Sequence, residues 1–345
     1  MKQSLLITIG IPVYGVEAYI EKCIKSVLAQ TYSNLEVLII DDCCQDHSIE
    51  ILRMIIEKEQ DSRFKIIRHD HNKGLGEARN TAIELAQGDY IYFLDSDDWI
   101  EPDAIEKMVA AIEEKKPDVV YASSYAIDYR DGKRQPNFTY NYPMEFYGQD
   151  AFAQFVCSDI NWHIGWSVWN VLFRIEWLRK FHLRFVTRKN EDLLFISDYY
   201  PLVQHAIMIP AYTYNYLIRP GSIMAPQKRD VIPVWEIKIQ FQNDEYLTRR
   251  SDALIGKSYY DVHCAKVMKH KFRTVCVALK HRNLFDGPVT DKELRDNMVH
   301  PASFVVILRF RRYRLLNLFF YTLGVIPPVV SVAIARLVGK MKHWI

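Results

Sequence analysis

The stretch that decides the fold is YIYFLDSDDWIEP, residues 90–102, in which an apolar run ends directly at a cluster of carboxylates. Residues 90–94 have the length and composition of a buried parallel strand, and Pro102 fits the first position of a following helix. Neighbouring carboxylates at a strand end repel one another, which destabilises the fold unless a cation or hydrogen-bond donors offset the repulsion. Mg²⁺ or Mn²⁺ would do so, because these ions take carboxylate and phosphate oxygens as ligands. The metal-ligand candidates are Asp97, Asp95 and Asp98. The alternative is a solvated acidic turn that caps the helix.

Similar apolar runs lie at residues 4–14, 35–41 and 64–68. Between them, apolar side chains recur at the spacing of helices with one buried face. Strands that alternate with helices in this way predict a doubly wound α/β sheet. In such sheets, ligands bind beyond the carboxyl ends of the strands, which is where the aspartates of residues 95–98 are expected.

A second acidic pair and a glycine-bearing loop follow other strands of the predicted sheet. Asp41 and Asp42 end an apolar run, and NKGLGEARN, residues 72–80, opens a helix with two cations, Lys73 and Arg79. That composition suits a phosphate or diphosphate, because backbone N–H groups and cations both stabilise its charge. The alternative is an ordinary turn in which Arg79 pairs with an acid at the sheet edge.

Composition and charge exclude several classes of protein. The chain has 345 residues, 49% of them hydrophobic, which suffices for a sizeable core in one large or two unequal domains. Its formal net charge of +2 argues against a nucleic-acid partner. The six cysteines lack the spacing of a zinc site or of a disulfide framework. The N-terminus does not have the pattern of a secretion signal, so we expect the catalytic part to face the cytosol.

The ordered series of segments resembles the family 2 glycosyltransferases of the GT-A fold, over about residues 4–225. The matching segments are IPVY at 11–14, Glu17 with Tyr19 and Ile20, SVLAQTY at 26–32, EVLIIDD at 36–42, residues 72–80, GDY at 88–90, DSDD at 95–98, EDLLF at 191–195 and YLIRPGSI at 216–223. The resemblance implies a mixed GT-A sheet flanked by helices. One departure is Cys43-Cys44, where the family usually has a Gly-Ser pair, so the turn is expected to differ and the site to be kept.

By that resemblance, the donor is a nucleotide sugar, with UDP as the expected nucleotide, and Asp42 accepts a hydrogen bond from the base. The implied donor-binding residues are Pro12, Tyr14, Glu17, Asp42, Lys73, Arg79, Asp95, Ser96, Arg219 and Ser222. Asp95 and Asp97 match the family's metal-binding acids, with Asp98 adjacent. Asp192 matches its general base, with Glu191 beside it, and Trp169 and Asn170 match an acceptor-side pair.

The chemistry implied is a single displacement. A metal ion and Arg219 stabilise the departing diphosphate, while Asp192 removes the proton of an acceptor hydroxyl. One displacement inverts the anomeric centre. On residue types alone, Glu191 and Asp192 also fit a pair of acids favoured by a helix N-terminus, and the tryptophans around Trp169 also fit a core.

The C-terminal segment differs in composition from the rest of the chain. Seven cations and no acidic residue follow Asp296, and residues 315–335 carry no charge. Pro327 and Pro328 interrupt this apolar stretch, which argues against a straight membrane-spanning helix. We expect an interfacial or re-entrant segment on anionic lipid. The alternatives are a true span and a hydrophobic helix that forms a homodimer.

These patterns predict a metal-dependent, inverting glycosyltransferase on the cytoplasmic side of the cell membrane, peripheral or monotopic. Its acceptor would be a hydroxyl of a saccharide or lipid-linked acceptor in the synthesis of a bacterial surface polysaccharide. The predicted organisation is a GT-A domain at 1–225, with a nucleotide-sugar half at 1–128 and an acceptor half at 129–225, a helical extension at 226–298 and a membrane-associating segment at 299–345. The alternatives are a nucleotidyltransferase and an inactive nucleotide-sugar-binding subunit of a membrane complex.

Overall fold

The structure, a computed structural model, describes residues 4–112, 115–161, 163–165, 167–186, 189–222 and 229–345. The chain divides into two compact units. The first consists of residues 1–152 and 164–225, and the second of residues 153–163 and 226–345. Trp162 and Trp166, two of the tryptophans near Trp169, and Ile223, the last residue of the YLIRPGSI segment, lie outside the described residues.

Among its described residues, the first unit is built on one mixed sheet of ten strands. Its strands are β1 (Ile7–Val13), β2 (Leu35–Asp41), β3 (Phe64–Arg68), β4 (Tyr90–Phe93), β5 (Trp99–Ile100), β6 (Val119–Asp128), β7 (Arg134–Pro136), β8 (Met144–Tyr147), β9 (Val171–Arg174) and β10 (His205–Ile218). The order is β3-β2-β1-β4-β9-β6-β10-β5, with β7 beside β6 and β8 beside β10. Strands β1 to β4 are parallel, and β9 is antiparallel to both of its neighbours.

Helices cover the sheet. They are α1 (Ile20–Leu28), α2 (Ser48–Glu59), α3 (Leu75–Leu85), α4 (Ala104–Ile112), α6 (Ile175–Lys180) and α7 (Glu191–Tyr199), while α5 (Ala151–Val156) spans the boundary between the units. Every residue of β1 and β2 is buried, as expected for central parallel strands with both faces covered. A Cβ atom at Gly10 would lie 3.0 Å from the Cβ of Ala82, so glycine allows α3 to lie close to β1.

The α/β fold with its mixed sheet and flanking helices confirms the predicted fold class. Strands β2 and β3 coincide with the apolar runs at 35–41 and 64–68. The helix expected to begin at Pro102 begins instead at Ala104. A turn that contains Gly132, with φ 67°, joins the antiparallel strands β6 and β7.

The second unit is helical. Its helices are α8 (Val234–Arg250), α9 (Tyr260–Lys280), α10 (Asp291–Asp296), α11 (Phe304–Leu308), α12 (Arg314–Val325) and α13 (Pro328–Met341). Its core joins Phe272 of α9 to Phe320 of α12 and Val332 of α13. Residues 226–298 and 299–345, predicted as successive segments, therefore share one hydrophobic core.

The apolar C-terminal stretch does not form one long helix. Helix α12 ends at Val325, and α13 begins at Pro328, whose ring suits a first helical position. Across the residues that the structure describes, no helix has both the length and the apolar character needed to cross a bilayer.

Candidate active site

One buried arginine gathers three carboxylates at the carboxyl edge of the parallel strands. Arg79 lies in α3, and its guanidinium donates hydrogen bonds to Asp95 Oδ1 at 2.7 Å, Asp192 Oδ1 at 2.6 Å and Glu191 Oε1 at 3.0 Å. Its side chain is only 1% exposed. Asp95 follows β4, whereas Glu191 and Asp192 form the first turn of α7. The end of β4 and the start of α7, far apart in sequence, are therefore joined through α3.

One guanidinium does not neutralise three carboxylates, and the pKa values reflect this. Burial lowers the pKa of Arg79, but the three acids outweigh burial and raise it. Burial also raises the pKa of Asp192 to about 7; Arg79 opposes this rise, and the charges of Glu191 and Asp95 add to it. The second oxygen of Asp192 accepts a hydrogen bond from the Val168 N–H at 3.3 Å. A fixed carboxylate that titrates near neutral pH is suited to accept a proton as a general base.

Asp97 pairs with the arginine that follows β10. Arg219 Nε donates to Asp97 Oδ2 at 2.8 Å, and the guanidinium carbon lies 4.4 Å from the centre of the Tyr19 ring. Burial and the charge of Asp95 raise the pKa of Asp97, and Arg219 offsets part of that rise. Ser222, three residues beyond Arg219, is hydrogen-bonded to Tyr216. The end of β10 thus places the predicted Arg219 beside the aspartates that follow β4.

Asp98 is buried, and both of its carboxylate oxygens are hydrogen-bonded to β10. Its oxygens accept hydrogen bonds from the Tyr214 hydroxyl and the Leu217 N–H, both at 2.7 Å. Burial and the charges of Asp97 and Asp95 raise its pKa well above the ordinary aspartate value. Ser96, between Asp95 and Asp97, is also buried. Asp98 therefore connects the DSDD turn to β10.

Asp42 holds the glycine-bearing loop in place. Its two carboxylate oxygens accept hydrogen bonds from the backbone N–H groups of Lys73 and Gly74, each at 2.8 Å. The ring of His69 lies 2.7 Å from Asp42 Oδ1 and 2.9 Å from Thr81 Oγ1. Asp42 is buried, and its carboxylate thus fixes the loop directly before α3.

Three further donor-side candidates lie in and after β1. Pro12 is buried in the strand, Tyr14 is 51% exposed, and the Glu17 carboxylate accepts a hydrogen bond from the His47 N–H at 3.0 Å. The turn after Asp42 contains Cys43 with φ 63°, a left-handed conformation that glycine adopts without strain. Cys43 therefore adopts a backbone conformation that suits glycine, the residue that the resembled family usually has at this position.

Comparison with known proteins decides the family. A model of glycosyl transferase family 2 matches residues 8–179. An uncharacterised glycosyltransferase of Haemophilus influenzae is 32% identical over 240 residues, which cover 70% of this chain and 89% of that protein. This chain belongs to glycosyltransferase family 2. Family 2 membership favours a glycosyltransferase over the nucleotidyltransferase considered from the sequence.

This family 2 glycosyltransferase is also similar to a second curated relative and to a solved structure. Glycosyltransferase GlyG of Streptococcus pneumoniae serotype 4 is 29% identical over 252 residues, covering 68% of this chain and 80% of GlyG. The crystal structure of S. aureus TarS 1–349 in complex with UDP-GlcNAc superposes with a TM-score of 0.73 at 17% identity, covering 98% of this chain and 92% of that one. At that identity the likeness shows the GT-A fold alone.

The two residues predicted to lie on the acceptor side, Trp169 and Asn170, are buried. Trp169 stacks on Tyr214 and Tyr216, with ring centres 4.5 Å and 5.5 Å away. The Asn170 amide donates to the carbonyl oxygens of Ala122 and Ser123, and its oxygen accepts from Tyr92 and Thr213. Asn170 thus has a structural role in the sheet, and the acceptor role of both residues stays a prediction.

The three aspartates predicted as metal ligands differ in their surroundings. Asp95 and Asp97 keep 22% of their side chains exposed, while both Asp98 oxygens are bonded within the protein. Within the described ranges, no group of three or more His, Cys, Asp or Glu side chains is arranged to hold a metal ion. Two partly exposed oxygen ligands whose charges repel one another still fit a divalent cation that takes its remaining ligands from phosphate and water.

The structure thus brings together Arg79, Asp95, Glu191 and Asp192, and separately Asp97 and Arg219. The sequence predicts Arg79 beside the nucleotide, with pairing to an acid at the sheet edge as the alternative. The structure has that pairing, with Asp95, while the two further acids and the burial of Arg79 were not foreseen. His69, the partner of Asp42, was also not foreseen. Its place directly after β3, at the same sheet edge as Asp42, was the available signal.

Proposed function

We propose that the protein is an inverting glycosyltransferase that transfers a sugar from a UDP-sugar to a hydroxyl group of a saccharide or lipid-linked acceptor. The single observation that carries this proposal is the Arg79 hub, defined as Arg79 with Asp95, Glu191 and Asp192. In this hub the buried Arg79 guanidinium binds both Asp95, on the donor side, and Asp192, the candidate base. A single displacement needs these two functions at a fixed separation.

On the donor side, the chain's own residues would bind and orient the diphosphate. The Asp42-held loop of Lys73 and Gly74 supports the nucleotide, and Arg219 supplies positive charge where the leaving group develops negative charge. Asp95 and Asp97 would hold Mg²⁺ or Mn²⁺, which when bound supplies further charge for the diphosphate oxygens. The bound UDP-GlcNAc in the TarS structure supports UDP as the nucleotide.

On the acceptor side, Asp192 would remove the proton of the attacking hydroxyl. Its raised pKa gives it enough basicity for this step, and Arg79 keeps it oriented. The bond from the anomeric carbon to the diphosphate breaks as the bond to the acceptor oxygen forms, so the configuration inverts. Surface polysaccharide synthesis is the biological setting we propose, on the basis of the family resemblance.

The test is the substitution Asp192→Asn, which keeps the size of the side chain and one acceptor oxygen for the Arg79 guanidinium and removes the basic carboxylate. We expect transfer from a UDP-sugar to fall by at least about 100-fold, in the range usual for loss of a general base. Donor binding, measured by calorimetry, should remain because Asp192 would face the acceptor. Product stereochemistry, read by NMR at the anomeric proton, tests inversion.

The control is Asp103→Asn, an exposed aspartate paired with Lys107 on α4. It should leave transfer unchanged. Full activity of the Asp192→Asn enzyme, or a product that retains the donor's anomeric configuration, would contradict the proposed mechanism.

A further inference from the structure

The helices at the end of the chain leave large apolar side chains exposed. Leu315 on α12 is 81% exposed and Leu337 on α13 is 62% exposed. Phe304 and Val305 on α11, Val325 on α12 and Val329 on α13 are also exposed. Three consecutive helices therefore share this property.

The exposed side chains are distinct from those that build the core. Helix α12 buries Phe320 and Leu323 and exposes Leu315, Thr322 and Val325, which recur at helical spacing. Helix α13 likewise buries Val332 and Ala335 in the same core. Helices α12 and α13 thus each have one face in the core of the unit and exposed apolar side chains outside it. We call these exposed apolar side chains, on α11 to α13, the apolar tail face.

Positive charge surrounds the apolar tail face. Arg309, Arg311, Arg314, Arg336, Lys340 and Lys342 are all exposed on or beside these helices. Arg312, the remaining cation of the segment, bonds to Asp261. No acidic residue follows Asp296. Within the segment after Asp296, exposed apolar side chains are therefore combined with cationic side chains alone.

The exposed apolar side chains and the positive charge together indicate which partner binds the apolar tail face. A second copy of the chain would oppose two surfaces of the same positive charge, and the repulsion would disfavour a dimer. An anionic lipid surface complements the cations and accepts the apolar side chains between its headgroups. The two short helices on either side of Pro327 suit a position along the surface.

We propose that the apolar tail face binds the surface of an anionic phospholipid bilayer and attaches the protein peripherally. The cytoplasmic leaflet carries the anionic lipids that such a face requires, so the catalytic unit would work on that side of the cell membrane. This attachment is separate from the transfer chemistry proposed above.

The test is co-sedimentation of the full-length protein with vesicles. We expect binding to vesicles of phosphatidylcholine mixed with phosphatidylglycerol, weak binding to pure phosphatidylcholine, and release at high salt. The paired substitution Leu315→Glu and Leu337→Glu should abolish binding. The substitutions Arg336→Gln and Lys340→Gln should each weaken it about fivefold, as expected for one interfacial cation.

The matched control is Met54→Glu, which alters a 62% exposed apolar side chain on α2. It should bind as the parent protein does, and all variants should transfer sugar from a UDP-sugar to a soluble acceptor at the parent rate. Equal binding of the parent to neutral and anionic vesicles, or unchanged binding of the charge variants, overturns the proposal. A lipid-free dimer that the paired Glu substitutions dissociate assigns the face to a second copy instead.

Discussion

At the scale of single residues, the Arg79 hub explains how a carboxylate can be both buried and basic. Two negative charges remain when one guanidinium faces three ionised acids, and burial adds a desolvation cost to each. The cost appears as the raised pKa of Asp192. A perturbed carboxylate at a sheet edge is the kind of group that functional sites contain.

The pH dependence of transfer follows from this shift. Asp192 acts as a base only when ionised, and its ionised fraction falls as the pH decreases through a pKa of about 7. We expect kcat/KM to decline tenfold for each pH unit below that value and to level off above it. A rate that stays constant down to the range of an ordinary aspartate would show that another group accepts the proton.

Residue types could be predicted from the sequence better than their surroundings. Asp95, Asp192 and Arg79 all stood out as chemically special, and the structure brings them together. The burial of Arg79 could not be read from the sequence, because it depends on where β4, α3 and α7 meet. Asn170 shows the same limit: its neighbours Tyr92 and Thr213 are distant in sequence and satisfy its amide.

At the scale of elements, a lysine in α9 fastens the segment 153–163 within the second unit. Lys266 is buried, and its ammonium group donates to the carbonyl oxygen of Val156 and to that of Asn161 at 2.7 Å. Burial lowers the pKa of this amine to about 8. One side chain thus joins a helix to a segment more than a hundred residues earlier in the chain.

The substitution Lys266→Met should therefore destabilise the second unit. It leaves two carbonyl groups without their donor, which costs about 1–3 kcal/mol for each group that water does not reach. Chemical denaturation followed by circular dichroism measures the loss. Lys280→Met, at the exposed end of the same helix, should change the unfolding free energy by less than about 0.5 kcal/mol. Equal losses for both variants would contradict the role given to Lys266.

Strands were easier to predict than their pairing. The apolar runs that became β2 and β3 have the predicted bounds because both are short and end at polar residues. The antiparallel insertion of β9 between β4 and β6 has no comparable local pattern, since strand order depends on long-range contacts. The break at Pro327 was readable because proline acts locally.

At the scale of the whole molecule, ligand binding should be visible as stability. A nucleotide sugar that binds only the native state raises its melting temperature, and at about 100 times its Kd it adds about 2.7 kcal/mol. We expect a UDP-sugar to raise the melting temperature more with Mn²⁺ than without it. Asp95→Asn and Asp97→Asn should remove the Mn²⁺-dependent part. A screen in which no UDP-sugar produces a shift would contradict the proposed donor.

The C-terminal segment, residues 299–345, cannot be deleted as a clean test of membrane attachment. The structure shows that this segment supplies Phe320, Leu323, Val332 and Ala335 to the core of the second unit. Deletion would expose that core, so point substitutions on the apolar tail face are the informative variants.

The Arg79 hub also limits how this enzyme can be recombined. A chimaera that joined residues 1–128 of this chain to the second half of another transferase would separate Arg79 from Glu191 and Asp192. Removing one partner of a buried ion pair costs about 3–5 kcal/mol. The donor and acceptor halves would therefore have to be exchanged together, so that Arg79 keeps the acids that it contacts. Exchange of one half alone would not transfer donor or acceptor specificity.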